Sequence, residues 1–220
     1  MAKSTVMCWS SGKDSATALH RLQQDPGYEV VGLLTTLTEG YERVSMSGVR
    51  HDLLERQAAA LGLPLHKVWI PPQCVNPVYE ACMNDAVSRL KEDGVQAFAF
   101  GDLFLQDVRE YREKQMAPTG LECIFPLWGQ DTVLLSAWMT ANLSATLVCV
   151  DPRQVPPELA GRSYDAALLA DLPPDADPCG ERGEFHTFVS DAPNFTGPIE
   201  VIAGEVVERD GFWFADLLLA

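Results

Sequence analysis

An α/β fold is predicted for this chain, a parallel sheet covered by helices on both faces and followed by a smaller C-terminal α+β subdomain. Three observations predict it. Short apolar runs alternate with helical patterns over the first two-thirds of the 220 residues, a loop of small residues with one Lys and one Asp joins the first run to the first helical pattern, and Pro becomes frequent after Asp151. Taken in order, Thr5–Trp9 is a strand and Asp14–Gln24 a helix. Glu29–Thr36 and His51–Leu61 repeat the pair, as do Leu65–Trp69 and Val75–Asp93; Ala97–Phe100 is a further strand, and Gln130–Leu143 leads into Ala145–Val150. Strands separated by helices imply βαβ units with right-handed crossovers, hence a parallel sheet that binds ligands beyond its strand C-termini. After Asp151, six prolines from Pro152 to Pro178 favour irregular connections. Alternating patterns at Ile199–Glu208 and Phe212–Leu219, joined near Asp210-Gly211, read as a hairpin. The expected division is therefore 1–150 and 151–220, with no internal repeat and no low-complexity tract.

The stretch from Val6 to Ala16 carries the most chemistry. Ser10-Ser11-Gly12-Lys13-Asp14-Ser15 lies between a strand and a helix, where small residues let backbone N–H groups converge on one point. The helix N-terminus adds about half a positive charge, and Lys13 supplies a mobile full one. An anion belongs there. The Walker A pattern would need Gly at position 7 and Ser or Thr directly after Lys13, whereas the chain has Met7 and Asp14. Ser10 or Ser11 would also serve as a plain helix N-cap without any ligand.

Composition excludes several classes. At 47% apolar residues the chain can bury a real core, and no stretch approaches the roughly 18 apolar residues of a membrane span. The start Met-Ala-Lys-Ser-Thr leads straight into a strand instead of a signal-peptide core, so a cytoplasmic location is expected. Six Cys without a C-x-x-C pair read as reduced thiols. The net charge of −15 argues against a large nucleic-acid interface and suits a cationic partner, a small substrate or solubility alone. The oligomeric state is left open, a homodimer included.

The loop resembles the SGGxDS signature of the PP-loop ATP pyrophosphatases, with Ser11 standing where that signature has its first Gly. Three further segments sharpen the likeness. Gly101-Asp102-Leu103 followed by Arg109, Arg112 and Glu113, Pro126-Leu127-Trp128, and Gly180-Glu181-Arg182-Gly183-Glu184-Phe185-His186-Thr187-Phe188-Val189 run in the family's order. Together they resemble the diphthine-ammonia ligase family of adenine nucleotide α-hydrolases, across roughly residues 5 to 195. The resemblance implies a Rossmann-like sheet of the HUP/PP-loop ATPase type. It also implies ATP and Mg²⁺ as cofactors, cleavage of ATP to AMP and pyrophosphate, and ammonia joined to an adenylated carboxylate acceptor, diphthine on an elongation factor being the family's own.

On that reading Lys13 would screen phosphate charge, Ser10, Ser11 and Ser15 would donate hydrogen bonds around Gly12, and Asp14 would position Mg²⁺ or its waters. Thr35, Thr36 and Thr38, at the end of the second strand, are candidates for adenine or ribose, or simply good β-formers. Gly101 and Asp102 end the fourth strand, Asp102 being a metal or ribose ligand or a helix cap. Arg109 and Arg112 would share a helical face and reach the α-phosphate, unless they form surface ion pairs with Asp107, Glu110 and Glu113. The segment Glu181–Thr187 would face the acceptor, with Glu184 or His186 as the base that takes a proton from ammonium. Two other classes share parts of this pattern. A tRNA-modifying PP-loop enzyme would bring a basic surface and often paired cysteines, which this chain lacks; a nucleotide-binding sensor resembling universal stress proteins would have no use for the 180–189 segment.

Overall fold

Val6 and Met7 are both fully buried although they are neighbours on one strand, which requires a strand covered on both faces. That strand is β1 (Lys3–Cys8), the middle of a parallel sheet. The computed structural model describes all 220 residues. β1 is followed by α1 (Lys13–Leu22), β2 (Tyr28–Thr38), the short β3 (Arg43–Val44), α2 (His51–Leu61), β4 (Leu65–Ile70), α3 (Asn76–Glu92), β5 (Ala97–Ala99), α4 (Gln106–Met116) and β6 (Glu122–Ile124). Then come α5 (Thr132–Asn142), β7 (Ser144–Val150), α6 (Ala166–Asp171), β8 (Phe185–Asp191), β9 (Val201–Arg209) and β10 (Phe212–Leu219). The parallel strands stand in the order β4-β2-β1-β5-β6, so the direction of winding reverses between β1 and β5. Ligand sites of such Rossmann-like sheets form at that reversal, beyond the strand C-termini.

Most expected helices form within two residues of their expected ends, and α2 matches at both. Its apolar residues Leu53, Leu54 and Ala58 face inward, and Gly62 ends it in the left-handed conformation (φ 65°) that Gly adopts without strain. β3, β6, α6 and β8 were not among the expected elements, and α4 was expected only as the helix that Arg109 and Arg112 would share. β3 takes up the edge of β2 that β1 leaves free, since β1 pairs with Tyr28–Leu34 while β4 occupies the opposite edge through Thr38.

One placement differs from expectation. The strand expected at Ala145–Val150 is β7, and it does not join the parallel sheet. It pairs antiparallel with β8 and β10 in a second sheet ordered β8-β7-β10-β9. An apolar run buried on both faces reads the same in either kind of sheet, and Ala145 and Leu147–Val150 are all buried. The hairpin of β9 and β10 turns at Asp210-Gly211 as its sequence indicates.

Both sheets share one core. A 35-residue apolar cluster joins Met7, Leu19, Leu33 and Leu54 of the first layer to Leu147, Val150, Phe188 and Leu217 of the second sheet. The other face of the parallel sheet, with Val6, Leu34 and Phe98, packs on α3 in a separate ten-residue cluster. No helix is long and apolar enough to cross a membrane.

A second tie is ionic. Asp216 on β10 accepts hydrogen bonds from Arg43 (2.9 Å) and Arg50 (2.6 Å), fastening the β3 segment to the second sheet. Burial pushes the Asp216 carboxyl up, but the bonds from Arg50 and Arg43 outweigh it and hold it at about 2. This value lies below that of the unfolded chain, so the contribution is complete above about pH 4 and is lost as the pH falls through about 2. Asp216→Asn should therefore cost about 2 kcal/mol at pH 7 and almost nothing near pH 2. Urea unfolding of both proteins at the two pH values checks this.

Candidate functional site

The loop Ser10–Gly12 leaves β1 at the reversal point and turns into α1 at the floor of a cleft of about 380 Å³. Trp9 N–H still bonds to Leu34 (2.8 Å), after which the chain departs from the sheet. Ser11 then adopts φ 69°, the left-handed region that favours Gly. The N-cap of α1 is Gly12, not Ser10 or Ser11, so the cap residue brings no side chain of its own. Gly is needed here for room. A Cβ on Gly12 would lie 3.1 Å from the Thr187 carbonyl oxygen, and one on Gly101 would lie 3.0 Å from Ser15 N. The helix N-terminus is thus pressed between β8 and the end of β5.

Hydrogen bonds fix that arrangement. Val189 N–H donates to Ser11 O (3.0 Å), and the backbone N–H of Lys13 donates to Thr187 Oγ1 (3.1 Å). Ser15 Oγ donates to Gly12 O and lies 3.1 Å from Ser10 Oγ. The fully buried Gln57 amide donates to Ser11 O (3.0 Å) and Val189 O (2.7 Å) while accepting from Trp9 Nε1 (2.9 Å). Two buried hydroxyls in this region have no partner, Ser11 Oγ and Ser47 Oγ. Thr35, which borders the cleft, donates its hydroxyl to Trp9 O (2.7 Å) and so ties β2 to the loop. Thr36 also borders the cleft, whereas Thr38 pairs with Ser45 and does not.

The charged residues depart from expectation in several places. Lys13, expected as a mobile charge, is 2% exposed, its ammonium facing the rings of Tyr164 and Phe185 at 5.6 and 5.3 Å from their centres. The 164–185 region covers it, and its ammonium is neutralised by both oxygens of Asp14 (3.1 and 2.9 Å). Burial pushes the Asp14 carboxyl up despite that pair. Arg112 reaches the cleft, bound to both oxygens of Asp102 and standing 4.7 Å over Phe100. Arg109 shares its helical face but does not line the cleft. Glu113 holds it at 2.8 Å, and it lies 4.8 Å over both Phe125 and Trp128, so the surface-pair alternative describes it.

The 180–187 segment divides its two carboxylates. Glu184, expected as a base, is 1% exposed and outside the cleft; its oxygens accept from the backbone N–H groups of Asp177 (2.8 Å) and Arg182 (2.9 Å). It holds its own loop in shape. Glu181 borders the cleft instead, accepting from Leu103 N–H at 2.7 Å through one oxygen. Burial pushes its carboxyl up to about 7, with Asp14 and Asp102 adding to the effect. His186 also borders the cleft, and burial together with Lys13 lowers it to about 4, so it is neutral at physiological pH.

Gln57 and the Val44–Ser47 wall were not among the candidates. Gln57 had a visible signal, a polar residue on the apolar face of α2 between Leu54 and Ala58. No group of three or more His, Cys, Asp or Glu side chains is gathered to hold a metal ion. Mg²⁺ bound with a polyphosphate needs only one or two protein carboxylates, a requirement that Asp14 fits.

A family model described as diphthamide synthase N-terminal domain matches residues 2–122. A protein of Schizosaccharomyces pombe named diphthine–ammonia ligase is 28% identical over 221 residues, which cover 91% of this chain and 36% of that protein. The chain thus spans well under half the length of that relative. One of Bos taurus with the same name is 28% identical over 183 residues, 76% of this chain and 68% of its own. A solved structure from Methanocaldococcus jannaschii, described as a "predicted subunit of tRNA methyltransferase", superposes with a TM-score of 0.48 at 17% identity, covering 86% of this chain and 98% of that one.

The strained Ser11 generates a prediction. Ser11→Gly removes both a left-handed side chain and an orphaned buried hydroxyl, while its carbonyl keeps both hydrogen bonds. The variant should be more stable by about 1 kcal/mol, which for a chain of this size raises the midpoint by about 2–4 °C. Thermal unfolding followed by circular dichroism checks it.

Proposed function

The chain belongs to the diphthamide synthase family, and on that premise we propose that it is an ATP-dependent ligase that adenylates a carboxylate and then amidates it. The acceptor oxygen attacks the α-phosphorus and pyrophosphate leaves; ammonia then attacks the acyl carbon and AMP leaves. The observation that carries this reading is the convergence of two unlike sets of groups on one cleft. The loop and the N-terminus of α1 come from the parallel sheet, while Glu181 comes from the turns that precede β8 and His186 from β8 itself.

Each side has a distinct task. The N–H groups at the start of α1 and the hydroxyls of Ser10 and Ser15 suit the leaving pyrophosphate. Lys13 and Arg112 are two cations against the carboxylates of Asp14, Asp102 and Glu181, so a bare polyphosphate would meet net repulsion. Mg²⁺ carried in with ATP would offset it by neutralising charge on the phosphates, and Asp14 is the residue that would hold the ion. Arg112, braced by Asp102, suits the charge that grows on the α-phosphate. Glu181, with a value near 7, is matched to taking a proton from ammonium. The relatives' name points to diphthine as the acceptor and ammonia as the nitrogen donor.

Two expected outcomes test the reading. Incubated with Mg-ATP, ammonium and diphthine-bearing elongation factor, the protein should yield AMP and pyrophosphate on chromatography of the products, and Asp14→Asn should slow this about a hundredfold. ADP as the sole nucleotide product would overturn the ligase assignment. The second concerns pH. The base form of Glu181 is the carboxylate, which is populated above about pH 7, so the rate should climb through that pH and then level off. Glu181→Gln should remove the climb and lower the rate by about 10²–10⁴ while leaving ATP affinity nearly unchanged. A parallel loss of ATP affinity would place Glu181 at the nucleotide.

A further inference from the structure

α5 is eleven residues without one Asp, Glu, Lys or Arg, in a chain whose net charge is −15. It also leaves apolar surface outside. Leu135 and Met139 face the core, while Val133 and Leu134 are 65% and 72% exposed, and Ala137 and Ala141 continue the same exposed face one and two turns further on. The polar atoms of the helix are satisfied within it. Ser136 Oγ donates to Val133 O, Thr140 Oγ1 to Ala137 O and Asn142 Nδ2 to Trp138 O, and the N-cap Asp131 accepts from the N–H groups of Val133 and Leu134. The face can therefore be covered without leaving a hydrogen-bonding group unpaired. At its edge the half-buried Trp138 is braced by the ring of His20 on α1, stacked at 5.4 Å. No residue of α5 borders the nucleotide cleft.

Charge decides what can cover this face. Nucleic acid or an anionic membrane would meet no cation along the helix, and a cationic partner would meet no carboxylate there. The other exposed apolar side chains lie among charges: Ile202 and Val206 share β9 with Glu205, Glu208 and Arg209, and Val78 stands two residues before Glu80. Two copies of so acidic a chain repel each other over most of their surfaces, and α5 is a face on which they would meet no like charge. Symmetry agrees. A two-fold axis through Ala137 runs two α5 helices antiparallel, setting Val133 of one copy against the small Ala141 of the other and Leu134 against Thr140, twice over. It also aligns the helix dipoles favourably and keeps the two Asp131 carboxylates about 18 Å apart along the axis.

We propose that α5 is the interface of a symmetric homodimer of this chain, with Ala137 on the two-fold axis. A helix of this length spans about 16 Å, too short for the roughly 800 Å² per partner of a tight dimer, so the dissociation constant falls on the order of 10–100 μM. Sedimentation equilibrium of the full chain from about 5 to 300 μM reads it. Association should strengthen as salt rises from about 0.05 to 0.5 M, because salt screens the repulsion between the two bodies and leaves the apolar contact. Ala137→Glu and Ala137→Lys each bring two like charges together on the axis and should weaken association at least about tenfold, while an equal mixture of the two variants should restore it. Ala137 is exposed, so both variants should fold, which circular dichroism and the thermal midpoint verify. Leu134→Ser, which adds no charge, should weaken the dimer about fivefold. A monomer at every concentration, a dimer that salt dissolves, or a dimer indifferent to all three substitutions would overturn the proposal. So would a monomer that floats with phosphatidylcholine vesicles, which would give the face to a membrane.

Discussion

The Gln57 side-chain amide makes three hydrogen bonds inside the protein, to the loop at Ser11, to β8 at Val189 and from the indole of Trp9. Those three points belong to the phosphate loop, the second sheet and the end of the central strand, which share no secondary structure. A buried amide satisfied on every side is stabilising, whereas each partner left without it would cost about 1–3 kcal/mol. The loop is therefore held as a fixed surface rather than a flexible one. Gly12 and Gly101 complete the constraint, because only residues without a Cβ let β8 and β5 approach α1 this closely. Preorganised backbone dipoles are effective because they need no rearrangement when charge develops.

On the proposed reading, this rigidity is how an acidic protein would offer an anion site. The charge that the loop was expected to supply through Lys13 is spent inside the protein, on Asp14 and two aromatic faces. What borders the cleft besides that pair is Arg112, braced by Asp102, together with Glu181, His186 and the hydroxyls of Ser10 and Thr36. The balance leaves room beside the loop for a carboxylate such as Glu181, which burial pushes up to about 7.

Much of this was legible in the sequence, for identifiable reasons. The strand–loop–helix unit at 5–22 and the helix His51–Leu61 declare themselves locally, through periodicity and small residues, and so they match. The departures are all questions of tertiary partner. β7 has the composition of a buried strand, which does not name its sheet. Glu181 and Glu184 are three residues apart in a segment of turns, and which one meets the cleft depends on the backbone N–H groups of Asp177 and Arg182 that capture Glu184. Lys13 looks like a phosphate ligand until Tyr164 and Phe185, far along the chain, close over it. Ser11 is the converse case: a residue that departs from a Gly pattern, and whose left-handed backbone shows why that pattern has Gly.

The contact between Lys13 N–H and Thr187 spans 174 residues. Closing so long a loop is entropically costly and slow compared with forming the local βαβ units. A chain emerging from the ribosome at about 5–20 residues per second builds β1, α1 and β2 long before β8 exists. During that interval the loop lacks its β8 bonds to Ser11 and Lys13, and Lys13 lacks its cover. The finished geometry of the loop is thus a late property of synthesis, acquired only when the second sheet docks, and a nascent chain stalled short of β8 would carry the motif without the site.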